Sequence, residues 1–162
     1  MKRLLITVAV VLNLVLADAV VKELARGLLG PSAERGPRVV KVVPGLFNLA
    51  YVENRGCAWG LLQGRVWPLA VFGAAALALL VWKWRSFFGP GRLAAVAEPL
   101  LYAGIVGNLI DRVFRGYVVD MFDFHWGPHH FPCFNVADSL ITVAVGLLIL
   151  SSFMAPRRKQ GA

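Results

Sequence analysis

Acidic residues are scarce in this chain. Nine Asp and Glu stand against 17 Lys and Arg in 162 residues, a formal net charge of +8. Charge of either sign makes up only 16% of the residues, hydrophobic residues reach 58%, and the mean hydropathy is +0.66. A soluble domain is about 45–50% apolar, so this balance points to lipid as part of the solvent. Cysteine is scarce too. Cys57 and Cys133 share no CxxC spacing, which argues against a zinc ribbon and a disulfide-rich scaffold. Two unrelated free thiols are a simpler expectation than one disulfide. The sequence has no RNA-binding aromatic motif, no recognition-helix pattern and no basic tract longer than Arg157-Arg158-Lys159. The positive balance therefore complements anionic lipid headgroups, and no nucleic-acid partner is expected. There is no internal repeat and no low-complexity tract, and the length suits one compact domain over residues 1–162.

What the chain does have is four apolar segments, at about 4–21, 66–82, 93–110 and 136–154. Each approaches the roughly 20 residues that cross a hydrocarbon core. Backbone polar groups find no partners in lipid, so each segment predicts a helix. The first segment has a rival reading. Lys2-Arg3, an apolar run and Ala17-Asp18-Ala19 also match a cleavable signal peptide. Against that, Lys22 follows Asp18 by four residues, so the two share one helical face. That pairing has a use only in a helix that is kept.

Basic residues set the expected orientation. Lys2 and Arg3 precede the first segment, Lys83, Arg85 and Arg92 surround the link between the second and third, and Arg157, Arg158 and Lys159 follow the fourth. Four crossings put these groups on one side, expected to be the cytoplasm, with both termini there. The outer loops are then about 22–65 and 111–135. The first of them also carries Lys22, Arg26, Arg35, Arg38, Lys41, Arg55 and Arg65, with Glu23, Glu34 and Glu53, which weighs against this orientation. Within that loop, Gly30-Pro31 and Gly36-Pro37 are breakers. The β-branched or aromatic runs 38–43 and 46–52, split by Pro44-Gly45, predict a small hairpin. The second outer loop reads as polar, aromatic and turn-rich.

Ionisable residues at membrane depth are costly and usually functional. Asp111, Asp120 and Asp123 follow the third segment and Asp138 opens the fourth. Short links bring those two ends together, so Asp120 and Asp138 can face one another near the outer surface. Two close carboxylates share a proton, and the apparent pKa values belong to the pair. The neutral acid can donate to a carbonyl oxygen while the charged one takes a proton from water, which is the chemistry of peptide hydrolysis. A plainer reading stays open beside it, with Asp138 a helix cap and Asp111-Arg112 an interfacial ion pair. The spacing H-x3-H-H-x2-C, built by His125, His129, His130 and Cys133, fits no zinc motif, so no metal is expected. Ser139 has no assigned base and reads as a first-turn hydroxyl. Pro99 should kink or start the third helix, and Glu98 reads as a solvated charge at the cytoplasmic headgroups.

The wording around these residues resembles the lipoprotein signal peptidase family (signal peptidase II). Gly104-Ile105-Val106-Gly107-Asn108-Leu109-Ile110-Asp111-Arg112 is similar to its G-x-x-G-N-x-x-D-R block, and Gly116-Tyr117-Val118-Val119-Asp120-Met121 to its G-x-V-V-D-[FM] block. Phe134-Asn135-Val136-Ala137-Asp138-Ser139 resembles F-N-x-A-D-S, and Asn54-Arg55-Gly56-Cys57-Ala58-Trp59-Gly60 resembles N-x-G-x-A-[FW]-G. Asp18 with Lys22 resembles the acid–lysine pair late in the family's first helix. The blocks stand in family order across almost the whole chain. Trp59, where Phe is more usual, and Cys57 are small departures.

The resemblance implies an all-α membrane protein of four transmembrane helices with a small extracytoplasmic β-cradle. It implies Asp120 and Asp138 as a catalytic dyad, with Asn54, Asn108 and Asn135 lining the site. Arg112 is expected to fix a carboxylate or touch lipid phosphate, with Asp111 its partner or an anchor for that region. Asp18 and Lys22 are expected to tie the first helix to the first loop. Gly104 and Gly107 would permit close helix approach or lipid passage, and Gly56 would give the loop backbone freedom. The implied substrate is a prolipoprotein carrying diacylglycerol, cut before its lipidated cysteine in the bacterial inner membrane near the extracytoplasmic face, by a monomer without a cofactor and surrounded by membrane lipids. Two rivals stand beside this reading. One is a transporter or channel with an acidic relay, which would spread its acids through bilayer depth. The other is a binding module that shelters lipid-modified proteins, which would bind without cutting.

Overall fold

The computed structural model describes residues 1–33, 35–89 and 91–154. Glu34 and the basic group Arg157, Arg158 and Lys159 lie outside the described residues. In chain order the elements are α1 (Lys2–Leu29), β1 (Val40–Val43), β2 (Phe47–Asn54), a 3-10 turn at Ala58–Gly60, α2 (Val66–Trp82), α3 (Trp84–Phe87), α4 (Arg92–Arg115), β3 (Val118–Trp126), β4 (His129–His130) and α5 (Val136–Met154). Helices α1, α4 and α5 are long and apolar enough to cross a membrane, and α2 is apolar and slightly shorter. Helix α4 is the centre of the bundle, packed by α1, α2 and α5.

The burial pattern is inverted relative to a soluble bundle. The buried residues of α1 are Asp18, Lys22, Ala25 and Leu29, at steps of four, three and four. Most of its leucines point outward: Leu12 and Leu16 are each 63% exposed. A helix that hides an acid and a lysine and shows most of its leucines fits a lipid solvent, where backbone and charge must be satisfied internally. Helix α4 presents a complementary stripe that includes Ala97, Leu101, Gly104, Asn108 and Asp111, all buried. Its small residues let neighbours approach closely. Gly104 makes this concrete, since a Cβ there would stand 2.5 Å from the Ala137 carbonyl oxygen on α5.

One four-stranded antiparallel sheet, in the order β1-β2-β3-β4, sits at one end of the bundle. The hairpin expected from the two β-branched runs is present as β1 and β2. Helix α4 stops because Gly116 adopts φ 74°, a left-handed conformation that glycine takes without steric cost and that turns the chain back into β3. On β3, Val119 and Met121 pack with Ala25 and Leu29, and successive side chains alternate, so Asp120 faces the other way. The backbone of Phe134 bonds to Met121 and Phe122. This stitches the entrance of α5 to β3 and brings Asn135 beside Asp120.

The structure departs from the sequence reading in several places. Helix α1 runs to Leu29 rather than 21, and α4 to Arg115 rather than 110. Apolarity marks the lipid-facing length of a helix, whereas Lys, Glu and Arg are good helix formers that carry it further. Asp111 and Arg112 therefore lie on α4, and the turn-rich loop contains β3 and β4. Pro99 lies inside α4. Glu98 is not solvated. It is 8% exposed and paired with Arg3 at 2.8 Å, while the Arg3 guanidinium lies 5.2 Å from the Trp84 ring centre. These contacts gather the N-termini of α1 and α4 with α3 at the end of the bundle away from the sheet.

Candidate active site

The polar interior begins at Lys22. Its ammonium group lies 2.8 Å from Asp18 Oδ2, 3.0 Å from Asp111 Oδ2 and 3.2 Å from Asn108 Oδ1. Both carboxylates are anchored further. Asp18 Oδ1 accepts the Ala137 N–H at 2.9 Å, and Asp111 Oδ2 accepts the Val119 N–H at 3.2 Å. Asp111 also pairs with Arg115 at 3.3 Å. One lysine on α1 thus joins α4, α5 and β3. Gly107 leaves the room for this, because a Cβ there would stand 2.6 Å from Asp18 Oδ2.

This cluster orients the next layer. An ammonium group only donates, so Asn108 turns its carbonyl to Lys22 and its amino group to Asp138. Asn108 Nδ2 donates to Asp138 Oδ1 at 2.7 Å. Asn135 is fixed by the same logic. Its Oδ1 accepts the Asp138 N–H at 2.9 Å, so its Nδ2 turns away and donates to Asp120 Oδ1 at 2.7 Å and to Asn108 Oδ1 at 3.1 Å. The Asn135 N–H returns to Asp138 Oδ2 at 3.2 Å. Asn54 Nδ2, from the end of β2, donates to Asp120 Oδ2 at 2.9 Å. One residue, Asn135, therefore bonds both Asp120 and Asp138. Burial, and next the nearby Asp138 carboxylate, push Asp120 up to about 7, against the amide bonds from Asn54 and Asn135 and the charge of Lys22. A carboxyl pair of this kind can hold one proton between two acids at neutral pH, with a donor and an acceptor side by side.

The acids open onto two adjoining compartments of about 540 Å³ each, Asp138 lining one and Asp120 the other. Both compartments touch Asn54, Cys57, Trp59, Phe131 and Cys133. Trp59 has φ 61°, a left-handed conformation that a bulky residue rarely adopts. Its ring meets Phe131 edge to face at 6.1 Å. Ile141 and Val143 of α5 form an apolar wall beside Asp138. Arg112 stands at the rim and donates to the Gly56 carbonyl at 3.4 Å.

Of the residues singled out from sequence, Asp18, Lys22, Asn54, Asn108, Asp111, Asp120, Asn135 and Asp138 come together in one hydrogen-bonded network, with Gly104 and Gly107 behind it. Three details differ from expectation. Asp111 anchors its region through Lys22 and Arg115 and is not the partner of its neighbour Arg112, because residues one apart do not face each other on a helix. Asp18 and Lys22 tie α1 to α4 and α5 rather than to the first loop. Gly56 does not adopt a positive φ. It is needed for space, since a Cβ there would stand 2.6 Å from the Leu61 carbonyl oxygen. The histidine-rich stretch forms a pair of another kind, in which His130 meets Asp123 at 2.6 Å and stacks on His125 at 4.9 Å. Burial acts to raise Asp123, but bonds from Asn48 and His130 outweigh it and hold that carboxyl below its ordinary value. Ser139 donates to the Asn135 carbonyl at 2.9 Å, as a first-turn hydroxyl does.

Sequence reasoning passed over the backbone groups of Val119 and Ala137, which carry no side-chain signal. It also passed over Cys133 as part of the cleft wall. Burial and the carboxylates of Asp120 and Asp123 push the Cys133 thiol up to about 12. At pH 8 such a thiol is only about one part in 10⁴ thiolate. Maleimide labelling followed by peptide mapping should therefore find Cys133 modified on the order of 10³-fold more slowly than an unperturbed thiol. Rapid labelling at pH 8 would contradict this environment.

Comparison with known proteins bears on the family and the fold. The family model described as signal peptidase (SPase) II matches residues 10–154. A lipoprotein signal peptidase of Geobacter metallireducens is 43% identical over 123 residues, covering 74% of this chain and 76% of the relative. That of Symbiobacterium thermophilum is 40% identical over 119 residues, covering 74% and 78%. A solved structure described as a bacterial membrane enzyme, determined by the in meso method at 2.3 Å, superposes with a TM-score of 0.80 at 29% identity. That likeness covers 96% of this chain and 93% of the other. With the family model spanning nearly every element that builds the polar network, the chain belongs to the signal peptidase II family.

Proposed function

We propose that this chain is an intramembrane aspartyl endopeptidase that removes signal peptides from diacylglyceryl-modified prolipoproteins, cutting just before the lipidated cysteine. The observation that carries the reading is Asn135 bonded to both Asp120 and Asp138 at a cleft with one apolar wall. The ionised acid of the pair takes a proton from a water molecule, which attacks the scissile carbonyl. The protonated acid donates to that carbonyl oxygen. Asn54 and Asn108 hold the two carboxyl groups in place. Arg112 at the rim and the α5 wall receive the peptide and its lipid, so the substrate enters sideways from the bilayer. The chemistry requires no cofactor, and every group in it comes from one chain, which suits a monomer.

The topology that fits this activity has four crossings in a bacterial cytoplasmic membrane. Helix α2, at 17 residues, is about 26 Å long, and Arg65 and Lys83 at its ends can snorkel to the headgroups. Both termini then face the cytoplasm with the basic cluster around α3, and the sheet and acids face outward.

The decisive experiment presents the purified chain in lipid with a prolipoprotein that carries or lacks its diacylglyceryl group. Cleavage that requires the lipid supports the reading. Binding without cleavage by a folded sample would instead favour a protein that shelters lipid-modified partners. The pH profile is a second check. A dyad sharing one proton loses activity when both acids ionise, and Asp120 is pushed up to about 7. Turnover should therefore fall as pH rises through about 7. A rate that keeps climbing to pH 9 would exclude the shared proton.

A further inference from the structure

A third compartment lies on the opposite face of the sheet from the acids. It is a groove of about 340 Å³ between the last turns of α1 and the sheet, lined in part by Leu24, Leu28, Val40, Leu49 and Met121. It shares no lining residue with the two compartments of the acidic cleft. Its outer side is apolar and exposed. Leu24 and Leu28 are 56% and 62% exposed on a helix long and apolar enough to cross the membrane.

One charged residue lines this groove, Arg38. Its backbone N–H bonds the Leu29 carbonyl at 2.8 Å, which fixes it at the C-terminal end of α1. Among the described residues its guanidinium pairs with no carboxylate. Glu23, also near the end of α1, is held by Arg26 and Arg115. Arg35 adds a second guanidinium, placed on the Leu28 carbonyl at 3.4 Å. Among the described residues the groove thus joins an apolar slot to a positive rim with no carboxylate on Arg38. A guanidinium offers forked donors that match a phosphate.

We propose that this groove binds one anionic phospholipid of the leaflet on the sheet side, its phosphate on Arg38 and an acyl chain between α1 and Val40. The site is distinct from any diacylglyceryl substrate, which has no phosphate to offer the arginine, and it does not depend on the reading of the acidic cleft. Charge complementarity selects this occupant. A neutral chain alone would leave the Arg38 guanidinium without an anionic partner among the described residues.

The test uses the full chain in neutral detergent with phosphatidylglycerol or phosphatidylcholine, read by native mass spectrometry and thermal unfolding. The wild type should retain phosphatidylglycerol roughly fivefold better than phosphatidylcholine, the scale of one basic residue at an anionic surface. Arg38→Gln should remove that preference. Val40→Trp should fill the slot and lower retention of both lipids. Leu28→Trp narrows the same slot from the helix side and serves if Val40→Trp does not fold. Each variant is scored only if its melting temperature without lipid matches the wild type. Inorganic phosphate alone should not stabilise the protein. Equal retention of the two lipids, unchanged preference in Arg38→Gln, or a dimer that disappears in the tryptophan variants would overturn the proposal.

Discussion

Asp120→Asn and Asp138→Asn should each lower signal-peptide cleavage by at least about 10³-fold, the scale of a lost general acid or base, while the protein stays folded. The geometry explains both halves of this expectation. Each carboxyl group accepts two hydrogen bonds, Asp120 from Asn135 and Asn54, Asp138 from Asn108 and the Asn135 N–H. An amide of the same shape keeps one of the two and turns its amino group against the other donor. That costs about 1–3 kcal/mol. For Asp120 the loss is offset, because the variant no longer buries a group that resists ionisation. The sign of this offset depends on pH. Asp120 ionises near 3.8 when unfolded and near 7 when folded, so the folded state holds the extra proton between those values. Stability from this group is present below about 4 and is lost as pH rises to about 7. Asp120→Asn should flatten that decline. Gel-shift cleavage and thermal melts at pH 5 and 8 measure both effects. Turnover within tenfold of the wild type in either variant would remove the dyad from the mechanism.

The parts of this site that were legible in the sequence are those with a local signature. The Asp18–Lys22 pair follows from a spacing of four on a helix, and the hairpin β1–β2 from two β-branched runs around Pro44-Gly45. The acids Asp120 and Asp138 stood out because charge is rare in so apolar a chain. Partners separated by long stretches of chain had no such signature. Nothing local says that Lys22 meets Asp111 and Asn108, or that Arg3 buries Glu98. Strand β3 did leave a trace. Val119-Asp120-Met121 and Asp123-Phe124-His125 alternate with period two, but the phase breaks at Phe122, and aromatic residues on both sides of the break disguised the strand as a turn-rich loop. The end of α4 was missed because its last turn, Asp111–Arg115, is charged, and apolarity was the measure of the helix.

Lys22→Met should be the most destabilising single change in the bundle. The lysine side chain is 1% exposed and compensates two carboxylates whose own exposures are 2% and 3%. Methionine matches its length and removes its charge, leaving Asp18 and Asp111 buried without their shared cation. Arg115 still reaches Asp111 at 3.3 Å, so Asp18 bears the larger share of the penalty. Breaking a buried pair in this way costs about 3–5 kcal/mol, which lowers the melting temperature on the order of 10 °C for a chain of this size. The cause can be separated from simple loss of packing. If the unpaired acids are responsible, adding Asp18→Asn and Asp111→Asn to Lys22→Met should restore more than half of the lost stability, because neutral amides need no cation. If the triple variant is no better than the single one, the lysine acts through packing alone. Activity supplies an independent reading. Lys22 holds the Asn108 carbonyl and thereby aims the Asn108 amino group at Asp138. In the rescued triple variant only the Asn135 amino group, at 3.1 Å, still holds the Asn108 carbonyl, so cleavage should stay impaired although the fold has recovered. A triple variant that regained full turnover together with its stability would show that Asn135 alone keeps Asp138 in place.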